Sequence, residues 1–178
     1  MGKKGPLVGQ SDHTAQDQPY EERYRQYLPR ILNYIRLRVD GEDLAQDLTA
    51  EVFERAISKQ HTLRRQGAFG GWLFTIARNT VAAHYRGRRP TVPLEHAANH
   101  PAPAPSPPET VMHREEIARL RAALSTLPER EQEIIRLKFL GGLGNKEIAK
   151  VLRLRPGHVA VILYRALRKL RTQLDAET

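Results

Sequence analysis

Residues 55–94 carry Arg55, Lys59, Arg64, Arg65, Arg78, Arg86, Arg88 and Arg89 and no Asp or Glu. Guanidinium groups at that density suit phosphate, which they hold through charge-assisted, often bidentate hydrogen bonds. Just before them, residues 39–54 reverse the sign, with Asp40, Glu42, Asp43, Asp47, Glu51 and Glu54 and no Lys or Arg. Adjoining blocks of opposite sign on helix-like sequence imply two partners, a polyanion for one and a basic protein surface for the other. A further basic run follows near the end. Residues 148–173 hold Lys150, Arg153, Arg155, Arg165, Arg168, Lys169 and Arg171 and no acid.

Bond-making chemistry finds no comparable set. HExxH, GxxxxGK[ST], a carboxylate cluster and Ser/His/Asp spacing are all missing, so a nucleic-acid enzyme is not expected. Seven histidines are scattered without a close pair on one helical face, and cysteine is absent. No catalytic residue, metal site or cofactor is therefore expected, and disulfides are excluded.

The elements that must position these charges read as all-α. In the first half, Tyr24, Tyr27/Leu28, Ile31, Tyr34/Ile35 and Leu37 recur at helical spacing, with Pro29 expected to kink or break the run. Leu44, Leu48, Val52/Phe53 and Ile57 form a second stripe over residues 41–58, whose polar side carries Asp43, Asp47 and Glu51 as an acidic ridge. A third helix is expected over 68–86, with Phe69, Trp72, Leu73, Ile76 and Ala83 inward. Trp72 falls in that apolar stripe and reads as core packing.

In the second half, helices are expected over 109–124, with Ile117, Leu120 and Leu124 inward, and from Pro128 through Leu140. Residues 141–144, Gly-Gly-Leu-Gly, break the chain. A short helix over 145–152, a turn at 153–155 and a longer helix from Pro156 to Leu174 make a helix-turn-helix pattern. The last helix buries Val159, Ile162/Leu163, Ala166/Leu167, Leu170 and Leu174. At about 100° per residue, His158, Val161, Tyr164, Arg165 and Arg168 face outward.

Between the halves, residues 91–112 hold Pro93, Pro101, Pro103, Pro105, Pro107 and Pro108, a composition that favours extended linker over helix. At ~3.1 Å per residue such a tether reaches roughly 60 Å. The expected division is a 1–19 tail, a 20–90 helical domain, the 91–112 linker and a 113–178 helical domain.

The formal net charge is +9 and the isoelectric point about 10.2, which favours nucleic acid or an anionic surface. The charge resides in the two helical segments. Residues 20–90 have 13 basic against 8 acidic residues, and 113–178 have 14 against 8. No apolar run approaches the ~20 residues that span a bilayer, and no signal-peptide core is present, so a cytoplasmic protein without membrane insertion is expected.

Three segments in this order resemble one family: GEDLAQDLTAEVFERA (41–56), FGGWLFTIARNTVAAHYRGRRP (69–90) and LPEREQEIIRLKFLGGLGNKEIAKVLRLRPGHVAVILYRALRKLR (127–171). They are similar to bacterial RNA polymerase sigma factors of the sigma-70 family, extracytoplasmic-function (ECF) group, which have two domains, σ2 and σ4, and a linker. The resemblance implies a subunit that gives core RNA polymerase its promoter specificity and helps open the duplex, for a stress- or signal-specific regulon. It implies that Asp43, Asp47 and Glu51 dock on the polymerase β′ clamp. It gives the −10 element to Thr62, Leu63, Arg64, Arg65, Arg78, Asn79 and Arg86. It gives the −35 element to Lys146, Arg155, His158, Val161, Tyr164, Arg165 and Arg168, with σ4 also meeting the β flap. Relatives are often held inactive by an anti-sigma factor, a partner the resemblance leaves open here.

Two departures from the family pattern carry expectations. Arg153 stands where Gly is common in the turn, which implies a different turn or a residue holding a strained conformation. Ala160, Val161 and Ile162 stand where polar residues are common, which implies −35 reading by phosphate contacts and DNA shape more than by base edges. Two other readings share the basic composition: a one-component helix-turn-helix repressor, which has no use for the acidic ridge, and a DNA-compacting protein without sequence preference.

Overall fold

The computed structural model describes residues 20–63, 65–87 and 108–176, and every regular element among them is helical. The first group comprises α1 (Tyr20–Arg36), α2 (Glu42–Lys59) and α3 (Phe69–Gly87). The second comprises α4 (Pro108–Ser125), α5 (Glu129–Ile135), α6 (Asn145–Leu152) and α7 (Pro156–Ala176). The expected tail, Arg64 and most of the expected linker lie outside the described residues.

Local chemistry explains the boundaries. Glu21 and Glu22 in the first turn of α1 and Arg36 in its last complement the helix dipole. Pro29 lies inside α1 and does not break it. Its ring removes the hydrogen bond to the Arg25 carbonyl, but both residues are exposed, so water can serve that carbonyl. Gly41 precedes α2 at φ +98°, a conformation that strains residues with a side chain. Pro108 opens α4, so helix begins inside the stretch expected as linker. A proline at the first helical position sacrifices no intrahelical hydrogen bond.

After α5 the chain widens into a π turn at Arg136–Leu140, where the Gly141 amide bonds to the Arg136 carbonyl at 3.1 Å. Gly141 is required there. A Cβ would sit 2.6 Å from the Leu137 carbonyl oxygen and 3.1 Å from Phe74.

The two groups do not form separate cores. Ile31, Tyr34, Val52, Leu73 and Phe74 of the first group join Ile134, Leu137, Leu143, Ile148 and Val159 of the second in one buried cluster. Tyr34 meets Phe74 edge to face at 5.3 Å between ring centres. Each such fully buried side chain contributes about 1.5–3 kcal/mol. A smaller cluster of Leu124, Leu127, Ile135 and Ala166 also takes in Leu37 from the first group.

Polar contacts close the same seam. The buried Glu133 carboxylate accepts from the Tyr34 hydroxyl at 2.7 Å and from the Arg38 guanidinium at 2.7 Å. Arg136 lies 3.5 Å and Arg78 3.8 Å from the same carboxylate. Burial, and then the neighbouring Glu133 charge, pushes the Tyr34 hydroxyl well above its ordinary pKa, so it stays a donor. Arg121 on α4 donates to Asp40 at 2.6 Å and to the Val39 carbonyl at 2.8 Å.

Three apolar expectations fail. Leu120, Ile57 and Leu167 were placed inward and are 42 %, 54 % and 39 % exposed. Each stands at the edge of its helix's apolar stripe, where a small rotation of the packed face decides burial.

Candidate nucleic-acid interface

The structure sorts the acidic block into paired and unpaired groups. Glu42 is bound by Arg36, whose hydrogen bonds hold its carboxyl below the usual range. Asp40 is bound by Arg121, and Glu51 by Arg55 one turn along α2. Asp43, Asp47 and Glu54 are exposed and make no ion pair with other described residues. At about 100° per residue these three fall within about 40° of one another, with Glu51 about 60° from their centre. The exposed Ile57 lies about 60° to the other side of that centre, near the C-terminal end of α2. Of the expected ridge, Asp43 and Asp47 are exposed and Glu51 is paired with Arg55, while Glu54, seven residues from Asp47, is also exposed. Nothing in the spacing marked Ile57.

The basic block resolves into two lines on α3. Trp72, Asn79 and Arg86 recur at seven-residue intervals on one line, and Asn79 and Arg86 are exposed. The Trp72 indole N–H donates to the Thr62 hydroxyl at 3.1 Å, and that hydroxyl donates to the Lys59 carbonyl at 2.7 Å. The ring also packs on Phe69, with centres 5.7 Å apart. Trp72 is thus both core and tether, joining α3 to the preceding loop, which exposes Thr62 and Arg65 while Leu63 packs against the core. Arg78 is turned about 100° from Asn79 and faces Glu133 across the seam. The structure does not group it with the other candidates for the −10 element.

The helix-turn-helix closes on an arginine. Arg153 caps α6 at φ 55°, ψ 47°, the left-handed conformation in which glycine is usual. The Leu154 amide bonds back to the Ala149 carbonyl at 2.8 Å and completes the turn. At the other end of α6, the Glu147 carboxylate accepts from the Gly144 amide at 2.8 Å. Lys146 is exposed beside it.

Pro156 then starts α7, whose surface presents His158, Val161, Tyr164, Arg165 and Arg168 together, with Arg155 just before it. Tyr164 is 68 % exposed. Lys169 is withdrawn from this set by Glu131 of α5, at 2.7 Å. Such a surface, basic at its edges and apolar at Val161 and Tyr164, can hold phosphates and touch thymine methyl groups. Among the described residues there is no group of His, Asp and Glu suited to a metal ion, and no helix is long and apolar enough to cross a membrane.

An all-helical chain with an unpaired acidic line on one helix and a basic helix-turn-helix at its end defines a DNA-binding protein built to meet a second protein. The family described as Sigma-70 region 2 matches residues 23–91, and Sigma-70 region 4 matches residues 117–170. The chain is 38 % identical over 152 residues to the ECF RNA polymerase sigma factor BldN of Streptomyces coelicolor, covering 83 % of this chain and 57 % of that protein. It is 33 % identical over 150 residues to the RNA polymerase sigma-H factor of Pseudomonas aeruginosa, covering 79 % and 78 %. Its fold is similar to that of CnrH, solved with the cytosolic domain of CnrY (TM-score 0.68, 24 % identity, 89 % of this chain and 88 % of that one). It is also similar to RpoE of Bartonella quintana, solved with the anti-sigma factor NepR (TM-score 0.65, 23 % identity, 89 % and 98 %). The chain belongs to the sigma-70 family of RNA polymerase sigma factors, in its ECF group. Such proteins bind core polymerase and direct promoter recognition in transcription initiation.

Proposed function

We propose that α2 docks on the polymerase clamp through Asp43, Asp47 and Glu54, with the neighbouring exposed Ile57 supplying apolar contact. Glu51 supports the fold through Arg55. The −10 element is engaged by Thr62, Leu63, Arg64 and Arg65 in the loop and by Asn79 and Arg86 on α3, with Arg78 joining once it is freed from Glu133. Residues 20–90 form the σ2 unit and 113–178, extended back to Pro108, the σ4 unit. The −35 element is met by Lys146, Arg155 and the exposed side chains of α7, phosphate and shape contacts outweighing base-edge hydrogen bonds. The protein acts in the cytoplasm without catalysis of its own, and an anti-sigma factor is a further partner. One observation supports this reading above the rest: three carboxylates on α2 stand without an ion pair among the described residues, in a chain of net charge +9. A simple repressor or a compacting protein has no use for them.

The test is run-off transcription with core polymerase. Wild-type protein is expected to co-elute with the core and to direct initiation from a subset of a promoter library. Asp43→Lys/Asp47→Lys is expected to lose co-elution while keeping its helical circular dichroism. Unchanged co-elution and transcription by that variant would remove Asp43 and Asp47 from the docking face, and no initiation by wild type on any template would favour the repressor.

A further inference from the structure

We infer that Arg153, in the turn of the helix-turn-helix, is itself a DNA contact: it holds a backbone phosphate beside the groove that α7 enters, and so sets how α7 is seated on the −35 element. The inference rests on the function proposed above and adds a residue to it. Three observations lead to it.

The first is conformation. Arg153 is the one non-glycine residue with positive φ among the described residues, at φ 55° and ψ 47°. Left-handed backbone crowds the Cβ of an L-residue, which is why glycine usually fills such a cap. Leu152 and Leu154 pack against the main core on either side of it. The Leu154 amide donates to the Ala149 carbonyl at 2.8 Å and the Arg153 amide to the Lys150 carbonyl at 3.4 Å. The flanks thus determine the turn, and the residue at 153 must accept its strained backbone.

The second is that nothing inside the fold uses the side chain. Arg153 is exposed, and its guanidinium makes no hydrogen bond or ion pair with another described residue. Lys150 and Arg155 beside it are exposed and likewise unpaired, and residues 148–173 contain no Asp or Glu. Like charges so close repel one another, so Arg153 destabilises the fold through its backbone and through its charge. Glycine would avoid both effects. A strained, exposed and unpaired cation calls for a partner outside the chain, and three cations around one turn suit phosphate.

The third is placement. Two residues of chain span at most about 7 Å, and the phosphates of one strand follow at about 3.4 Å of rise each. Arg153 and Arg155 are therefore spaced to serve neighbouring phosphates, just before Pro156 opens α7. Phosphate contacts carry no base code, but they fix the register of a recognition helix. Seating matters here because the exposed Ala160 and Val161 of α7 offer no hydrogen bond to a base edge.

The test uses holoenzyme assembled from the full chain and core polymerase, on a promoter duplex that wild type transcribes, with thermal unfolding of the free chain alongside. Arg153→Gly relieves the strain and should raise the thermal midpoint by about 2–4 °C. The same variant should weaken promoter binding roughly fivefold or more and reduce the slope of log K against log salt by about 1. Arg153→Asn tolerates the left-handed backbone without the flexibility of glycine and should bind as weakly. Arg153→Lys should keep most of the slope. The losses should be equal across −35 variants, with association to core polymerase unchanged. Promoter affinity and salt slope unchanged in the Gly and Asn variants would overturn the inference while leaving the proposed function standing. So would a lowered midpoint in Arg153→Gly, which would make the arginine a support of the fold, or a loss of core association in place of DNA binding. If wild-type holoenzyme initiates on no template, the functional reading falls and this contact falls with it.

Discussion

The seam between the two helical groups and the outward faces of α2, α3 and α7 use the same residue types to opposite ends. In the seam the carboxylates are matched: Glu133 by Tyr34, Arg38 and Arg136, and Asp40 by Arg121. On the outward faces, Asp43, Asp47 and Glu54 stand exposed without partners among the described residues, and so do Arg165 and Arg168. A matched charge specifies an arrangement of this chain with itself, whereas an unmatched exposed charge holds its interaction energy for another molecule. The difference separates structural from functional charge where composition cannot, and substitutions on each side should behave differently.

The largest effect is expected in the seam. Glu133→Gln keeps the shape of a buried side chain but leaves Arg38 and Arg136 only the exposed Glu129 as counter-charge. Removing one partner of a buried ionic cluster costs about 3–5 kcal/mol. Urea unfolding should show that loss. If the seam opens before either half unfolds, the transition should also divide in two. A midpoint unchanged within error would mean that the apolar cluster alone holds the halves together.

On the acidic face stability should hardly move while binding falls. Asp47→Lys and Glu54→Lys are each expected to weaken association with core polymerase by about 2 kcal/mol, roughly 30-fold. Glu51→Gln removes a surface ion pair worth under about 1 kcal/mol and should leave association near wild type. Surface plasmon resonance against immobilised core polymerase reads all three. A Glu51 variant as damaging as the Asp47 variant would show that pairing in the free chain is a poor guide to the docked face.

The fold was legible in the sequence because periodic apolar residues, Gly41, the 141–144 break and Pro156 are local signals. The helix-turn-helix was legible for the same reason, and even its left-handed Arg153 could be anticipated from the missing glycine. That α1 runs through Pro29 and that α4 begins at Pro108 were not legible, because composition alone cannot tell whether a proline's lost bond falls where it matters. The seam was illegible. Glu133 and Tyr34 are 99 residues apart, and nothing in either neighbourhood announces the other. The contact of Arg78 with Glu133 was hidden in the same way, since charge density records how many cations a segment has and not which way they point.

On α7 the expected effects are smaller and differ in kind. Arg168→Ala should weaken binding to all promoter sequences alike and reduce the salt slope of log K by about 1, the signature of a lost phosphate contact. His158→Ala should behave nearly the same if shape and phosphates dominate. A loss of about 1–3 kcal/mol confined to one base pair would instead assign His158 to a base edge. Competition binding over a −35 variant library, at two salt concentrations, separates the outcomes.

Trp72 tests the comparison where the two kinds of contact meet in one residue. Its ring belongs to the core side, packed on Phe69, while its N–H belongs to the outward side, holding Thr62. Trp72→Phe keeps most of the apolar area and deletes the donor, so the stability loss should stay near about 1 kcal/mol, the worth of a neutral hydrogen bond. The Thr62 hydroxyl still donates to Lys59, so the loop keeps its first turn but loses its tether to α3. Open-complex formation, read by permanganate footprinting of unpaired thymines, should therefore slow several-fold while −35 binding and clamp docking stay unchanged. Equal loss in all three readouts would mean that Trp72 acts only through the core, and that the loop finds its place without it.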